Sequence, residues 1–300
     1  MTTHLRNLLK FREGVFPGPQ PISIERIHFE QLEKEKYVVS PKADGQRYLL
    51  VVKDNVSVLI NRAFEEEEIK FRYHKDAKMG TILDVERVKT GKVLVFDAYQ
   101  VNGILVKDLN LTERLEAAER VVRGILKTTK DKVRLEMKPV FPRKEVEKAI
   151  LGEFEYETDG LIFTPVNQPI RSGTHNTMFK WKPRDKNTVD FQVVPSTKLH
   201  DCKGYSEYGF DLYVQERGSP IMESRLPISM APKHLVPLME KGASEVIIME
   251  CEYIHGKEDV SNYWKPILHR KDKKSPNSRW TFQRTMVNID EDIKWQEFKK

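Results

Sequence analysis

Short apolar runs, each closing on an acid, a glycine or a turn, recur along this chain and confine most of it to a sheet-built fold. Tyr37-Val38-Val39 leads into Ser40-Pro41-Lys42-Ala43-Asp44-Gly45-Gln46-Arg47, and Tyr48-Leu49-Leu50-Val51-Val52 leads out. Ile82-Leu83 runs into Asp84-Val85-Glu86. Val93-Leu94-Val95 reads as a buried strand closing on Phe96-Asp97, with Asn102-Gly103 as a turn. Thr158-Asp159-Gly160-Leu161-Ile162-Phe163 repeats the pattern. Phe179-Lys180-Trp181-Lys182-Pro183 alternates, so Lys180 and Lys182 share one strand face. Two segments break the texture. Residues 111–126 are amphipathic with a capped start around Thr112-Glu113, and residues 143–151 are also helix-like. The expected fold is α+β, built around antiparallel strands.

After Phe191 the loops become rich in Gly, Pro and Ser. Asp211-Leu212-Tyr213-Val214, residues 245–253 and Trp280-Thr281-Phe282 read as strands. Residues 290–300 read as a helix with Trp295 and Phe298 on one side. The expected division is 1–190, 191–285 and a terminal helix over 286–300.

Composition narrows the chemistry only mildly. A net charge of +6 with 32% charged residues suits phosphate-rich ligands without requiring them. Cys202 and Cys251 are the only cysteines and lack paired spacing, which argues against a zinc ribbon or a disulfide framework. No apolar stretch approaches membrane-spanning length, and residues 1–16 carry Arg6, Lys10 and Arg12 without an apolar core. A soluble, intracellular protein of nucleus or cytoplasm is expected.

Lys42 is the strongest candidate for chemistry. A lysine at a strand end can act as a nucleophile where nearby cations and desolvation favour its free amine. Arg47 offers a planar fork to ribose or phosphate oxygens. The acidic run from Glu65 to Glu68 reads as a solvated face. His175 and His269 show no metal-ligand spacing.

Taken in order, these runs resemble the six signatures of the covalent nucleotidyltransferases, the superfamily of messenger RNA capping enzymes and polynucleotide ligases. They are Lys-x-Asp-Gly-x-Arg, Asp-Gly-Glu, a strand ending Phe-Asp, Asp-Gly-Leu-Ile, Lys-x-Lys-Pro and Arg-x-Asp-Lys, here Arg270-Lys271-Asp272-Lys273. The chain departs once, with Asp84-Val85-Glu86 for Asp-Gly-Glu, and a β backbone there would accommodate valine. Phe16-Pro17-Gly18-Pro19-Gln20-Pro21-Ile22-Ser23-Ile24-Glu25-Arg26, Asn187-Thr188-Val189-Asp190-Phe191 and Pro276-Asn277 resemble the RNA guanylyltransferase branch, particularly its compact viral kind.

The resemblance implies an antiparallel-sheet nucleotidyltransferase domain, a small OB-fold β-barrel domain and a terminal helix folding back on the first. It implies transfer of GMP from GTP, through a lysyl-N-GMP intermediate, to the 5′-diphosphate end of RNA. Lys42 would be the nucleophile. Arg47 and Glu86 would hold the ribose, and Arg62 would lie near the nucleotide. Phe96 and Ile162 would sandwich the purine, and Lys180 and Lys182 would contact the α-phosphate. Asp190 would lie near the metal (Mg2+ or Mn2+) or the triphosphate. Arg270, Asp272 and Lys273 would orient the β- and γ-phosphates on domain closure. RNA triphosphatase and cap methyltransferase would be separate chains, and this one a monomer. The alternatives are an ATP-dependent DNA or RNA ligase and a non-catalytic RNA-binding OB-fold protein.

Overall fold

A computed structural model describes residues 2–9, 11–54, 56–70, 72–73, 80–126, 133–196, 200–202, 205–207, 209–227, 233, 246–256 and 262–299. The chain divides into two compact units, Met1–Lys182 with Lys294–Lys300, and Pro183–Ile293. The boundary thus falls at Lys182/Pro183 and not at the expected 190. The reason is pairing: Thr188–Pro195 hydrogen-bonds to Gly209–Glu216 and Ile247–Ile254 within the second unit.

Two large sheets build most of the first unit. One has the order Pro19–Ser23, Gly173–Trp181, Thr158–Pro165, Tyr37–Ala43, Phe141–Pro142, with only the first pair parallel. The other runs Arg134–Met137, Lys92–Val101, Thr81–Val88, Gly45–Lys53, Val56–Asn61, Glu66–Ile69. Gly45–Lys53 shows why its apolar run is continuous rather than alternating. Tyr48, Leu50 and Val52 join Ala117, Ala118 and Val121 in one core. Leu49 and Val51 face the opposite way, into a core with Leu5, Leu9, Phe11 and Phe16. Each such side chain contributes roughly 1.5–3 kcal/mol by leaving water.

The helix Leu111–Arg123 begins one residue past Asn110, whose side chain accepts from the Glu113 N–H while Glu113 reaches back. The cap is therefore Asn110 and not the expected Thr112 start. The helix also stops short of 126, because Ile125–Leu126 pairs as strand with Arg72–Tyr73. The expected helix over 143–151 is a 3₁₀ turn, Arg143–Glu145, followed by Val146–Leu151.

In the second unit the strand order is Ser219–Pro227, Gly209–Glu216, Thr188–Pro195, Ile247–Ile254, Tyr263–His269, all antiparallel. The two outer strands approach each other, curling the sheet into a small OB-type barrel around Phe191, Phe210, Leu212, Met249 and Trp264. The fold class is α+β, a sheet-built first domain followed by this barrel. Glu245, at the start of one expected strand, and the Cys202 side chain lie outside the described residues. Cys251 is buried.

Trp280-Thr281-Phe282 is helical and not a strand. The Ser278 hydroxyl caps the helix Arg279–Glu291 by accepting from the Thr281 N–H at 3.1 Å. Phe282, Met286 and Ile289 then follow at helical spacing and pack on the barrel core. That helix ends at Asp292 in the left-handed region, φ 42°. Residues 290–300 are accordingly not one helix. The last turn, Trp295–Lys299, belongs to the first unit, where Phe298 packs against Phe163 at 4.7 Å and Phe29 at 5.6 Å. Among the described residues no helix is long and apolar enough to cross a membrane.

Candidate active site

Asp44 alone separates Tyr37–Ala43 from Gly45–Lys53, and those strands belong to different sheets. The chain turns a corner inside the motif. Lys42 is left at the end of one sheet and Arg47 near the start of the other.

Lys42 Nζ lies 2.7 Å from Asp159 Oδ1, and Lys182 Nζ lies 2.8 Å from Asp159 Oδ2. One carboxylate thus bridges two amines brought from distant parts of the chain. Burial pushes the Asp159 carboxyl up, but Lys42 and Lys182 outweigh burial and hold it below the usual carboxylate range. Lys180 sits beside them with no such partner among the described residues. Burial, then repulsion from Lys182, Lys42 and Arg62, pushes its ammonium below the usual lysine value. Lys182 falls one residue beyond the strand Gly173–Trp181.

Gly160 makes the bridge possible. Its φ is 155°, and a Cβ there would lie 2.0 Å from the Trp181 carbonyl oxygen. Only glycine lets Asp159 pass this close to the backbone that carries Lys182.

Arg47 is 11% exposed and paired in two-pronged fashion with the fully buried Asp84, at 2.8 and 2.6 Å. Burial opposes its charge, and Asp84 more than restores it. Glu86 takes a different partner, Lys138, at 3.3 Å. Val85 between them is strand, wholly buried and outside the positive-φ region, so the valine sits there unstrained. Burial pushes Lys138 below the usual lysine value; Glu86 opposes this, while Lys42 and Arg47 add repulsion.

Two bulges in Lys92–Val101 aim aromatic groups at this corner. Val95 pairs with Val85 and Asp97 with Asp84, leaving Phe96 as an extra residue. Ala98 pairs with Leu83 and Gln100 with Ile82, leaving Tyr99 extra in the same way. Phe96 is half-buried, 5.3 Å from Arg47 Cζ and 5.4 Å from Lys138 Nζ. The Tyr99 hydroxyl donates to Asp84 at 2.9 Å. Ile162 is half-buried on the face opposite to its fully buried neighbours Leu161 and Phe163, and pairs with Ser40 and Lys180. Arg62 is exposed on the turn after Val56–Asn61, within reach of the charges of Arg47, Asp84 and Glu86.

Lys42, Arg47, Arg62, Lys138, Lys180 and Lys182 therefore act on one another around three carboxylates among the described residues, Asp84, Glu86 and Asp159. A corner with this cation excess can receive a polyphosphate and stabilise charge developing on it.

Asp190, Arg270, Asp272 and Lys273 form a separate cluster in the second unit. Arg270 Nη1 reaches both Asp190 oxygens at 3.2 and 3.3 Å, and Lys273 donates to the second of them. Asn277 Oδ1 accepts from the Asp190 N–H, and Arg270 also clasps Asp272 at 3.0 and 2.8 Å. Asp190, committed to two cations, does not fit the part of a metal ligand. Among the described residues no group of three or more His, Cys, Asp or Glu side chains is placed to hold a metal ion.

Sequence reasoning assigned no role to Asp159, Lys138, Asp84 or Tyr99. Asp159 and Asp84 lie within the sequence motifs, as the acids of Asp159-Gly160-Leu161-Ile162 and Asp84-Val85-Glu86. Lys138 and Tyr99 carried no local signal, since strand pairing and bulges alone bring them here.

The two adjoining sheets, the lysine–carboxylate–lysine bridge at the end of the first and the OB-type barrel later in the chain define the class of fold. More narrowly, the chain belongs to the mRNA capping enzyme family: residues 1–184 match the mRNA capping enzyme catalytic domain and residues 172–298 its C-terminal domain. It is 26% identical to an mRNA-capping enzyme of Caenorhabditis elegans, the match covering 95% of this chain and 49% of that protein. It is 28% identical to that of Danio rerio, over 88% of this chain and 45% of that protein. A third relative, mRNA-capping enzyme subunit alpha of Schizosaccharomyces pombe, is 26% identical over 100% of this chain and 83% of that subunit. The chain thus spans about half the length of the first two relatives.

Proposed function

We propose that this chain is a GTP:RNA guanylyltransferase. The observation that carries the reading is the Asp159 bridge, which holds Lys42 at one end of a cation-rich corner otherwise lined for a nucleotide. Lys42, oriented by Asp159, attacks the α-phosphate of GTP as the free amine. The N–P bond forms as the bond to pyrophosphate breaks, and the amine proton passes to water. Lys180 and Lys182 stabilise the charge on the phosphoryl oxygens. In the second step an oxygen of 5′-diphosphate RNA attacks the same phosphorus and expels Lys42, leaving GpppN. Arg47 and Glu86 serve the ribose, and Phe96 and Ile162 offer apolar surface to the purine. Mg2+ or Mn2+ would arrive with the triphosphate and would add positive charge at its oxygens. The RNA acceptor implies a triphosphatase acting earlier on the same RNA end, in the nucleus or cytoplasm.

Lys138 favours guanine over adenine. Its ammonium, at the Phe96 ring, only donates hydrogen bonds, so it suits the keto oxygen of guanine and not the amino group of adenine. Incubation with labelled GTP and ATP in turn, followed by denaturing electrophoresis, tests the reading. A covalent label from GTP alone is expected. A label from ATP alone would make the chain a ligase-type enzyme, and no label at all would remove the covalent mechanism.

A further inference from the structure

Residues 16–19, Phe16-Pro17-Gly18-Pro19, take no part in the chemistry above, yet they are built around Arg47. The Phe16 ring centroid lies 5.4 Å from Arg47 Cζ, and Phe96 lies 5.3 Å from the same carbon. The Pro19 carbonyl accepts from Arg47 Nη1 at 2.6 Å. Asp84, itself fixed by the Tyr99 hydroxyl, takes Nε and Nη2. Gly18 supplies the room, since a Cβ there would lie 2.2 Å from Arg47 Nη2 and 2.6 Å from Cζ. No backbone strain is involved at Gly18, which lies outside the positive-φ region.

A guanidinium carries five N–H groups. The three bonds above use Nε–H and one N–H on each terminal nitrogen, which leaves one N–H on each of Nη1 and Nη2. Pro19 also begins the strand Pro19–Ser23, which runs parallel to Gly173–Trp181 and pairs Ser23 with Lys180. The same segment therefore ties Arg47 of one sheet to the Lys180 strand of the other.

We propose that Phe16, Gly18, Pro19 and Asp84 form a clamp that fixes Arg47 so that its two remaining N–H groups read the two ribose hydroxyls. The clamp would make the site select ribonucleotides over deoxyribonucleotides. The inference rests on the nucleotidyl-transfer reading and deepens it. A loose arginine turns to water when a hydroxyl is missing. A clamped one is left with an unpaired N–H in a largely buried place, and the analogue lacking the hydroxyl is penalised. Phe16 and Gly18 are positioning residues, since they act through Arg47.

The test measures covalent labelling by GTP, 2′-deoxy-GTP and 3′-deoxy-GTP over a range of concentrations. In the wild type each deoxy analogue is expected to show an apparent KM about tenfold or more above that of GTP, the factor for about 1.4 kcal/mol. Gly18→Ala displaces the guanidinium, and Phe16→Leu removes one face of the stack. Each is expected to bring the GTP-to-deoxy KM ratio to within about threefold, with Phe16→Tyr restoring it. Thermal melts accompany each variant, and Phe16→Leu carries the test if Gly18→Ala does not fold. Equal loss of labelling with all three nucleotides, ratio preserved, would overturn the clamp and leave a structural segment. An absent ratio in the wild type would overturn it too, with guanylyl transfer intact. No label from any nucleotide would sink the transfer reading and the clamp together.

Discussion

Replacing Asp159 by Asn removes the one charge that holds Lys42 and Lys182 together. The carboxylate is 23% exposed and its partners 24% and 29%, so each ion pair is screened but not fully solvated. Unit charges about 4 Å apart attract by about 4 kcal/mol at an effective dielectric of 20, and desolvation with side-chain ordering leaves about 1 kcal/mol per pair. Losing two pairs should cost about 2 kcal/mol, or about 4–8 °C in Tm for a unit of this size. The pH dependence has a definite sign. Lys42 and Lys182, outweighing burial, hold the folded-state Asp159 carboxyl below its unfolded value. Its stabilisation is therefore present above about pH 4 and lost as pH falls through the lower folded value. The Tm gap between wild type and Asp159→Asn should be full at pH 7 and close on acidification. Adduct formation at saturating GTP should slow about 10- to 100-fold, because Lys42 loses its orientation, while KM stays level or falls in the more positive corner. A gap missing at pH 7, or unchanged into strong acid, would refute the bridge as a stabilising contact. An unchanged adduct rate would refute it as an orienting one.

Lys180→Met should raise the Tm of the nucleotide-free protein and raise KM for GTP about tenfold or more, because the lysine is buried among like charges. Its folded pKa is lowered, so the penalty that methionine removes exists below that value, and the gain in Tm should shrink as pH rises through it. Gly160→Ala should cost about 2–4 kcal/mol and most of the adduct rate, since its Cβ would meet the Trp181 carbonyl at 2.0 Å; a thermal melt near the wild-type value would contradict this. Arg270→Ala and Lys273→Ala should cripple labelling by GTP but leave transfer from preformed adduct near normal. Normal labelling with failure only at transfer would instead make the cluster an RNA-phosphate contact, with affinity falling steeply in salt.

Strand content and the order of the site motifs could be read from the chain because both are local. Tyr48-Leu49-Leu50-Val51-Val52 announces a strand buried on both faces, and Asp159-Gly160 announces a tight passage. What stayed hidden depends on pairing across the fold. Phe96 and Tyr99 point at Arg47 and Asp84 only because two bulges shift the register of Lys92–Val101 against Thr81–Val88. Lys138 reaches Glu86 from outside every motif. Trp280-Thr281-Phe282 misled because three bulky residues suit a strand equally well. The helix is decided by the Ser278 cap and by Met286 and Ile289 further along. The unit boundary moved for a similar reason, since Thr188–Pro195 takes its partners from later in the chain.

Intact-protein mass spectrometry after incubation with GTP, followed by peptide mapping, bears most directly on Lys42 as the nucleophile. A mass gain of one guanylyl group per chain is expected, mapped to Lys42, acid-labile as a phosphoramidate is, and reversed by added pyrophosphate. Lys42→Ala and Lys42→Arg should both fold and both stay unlabelled, the second because a guanidinium remains protonated. A guanylyl group found on any other residue, or retained by Lys42→Ala, would contradict the mechanism.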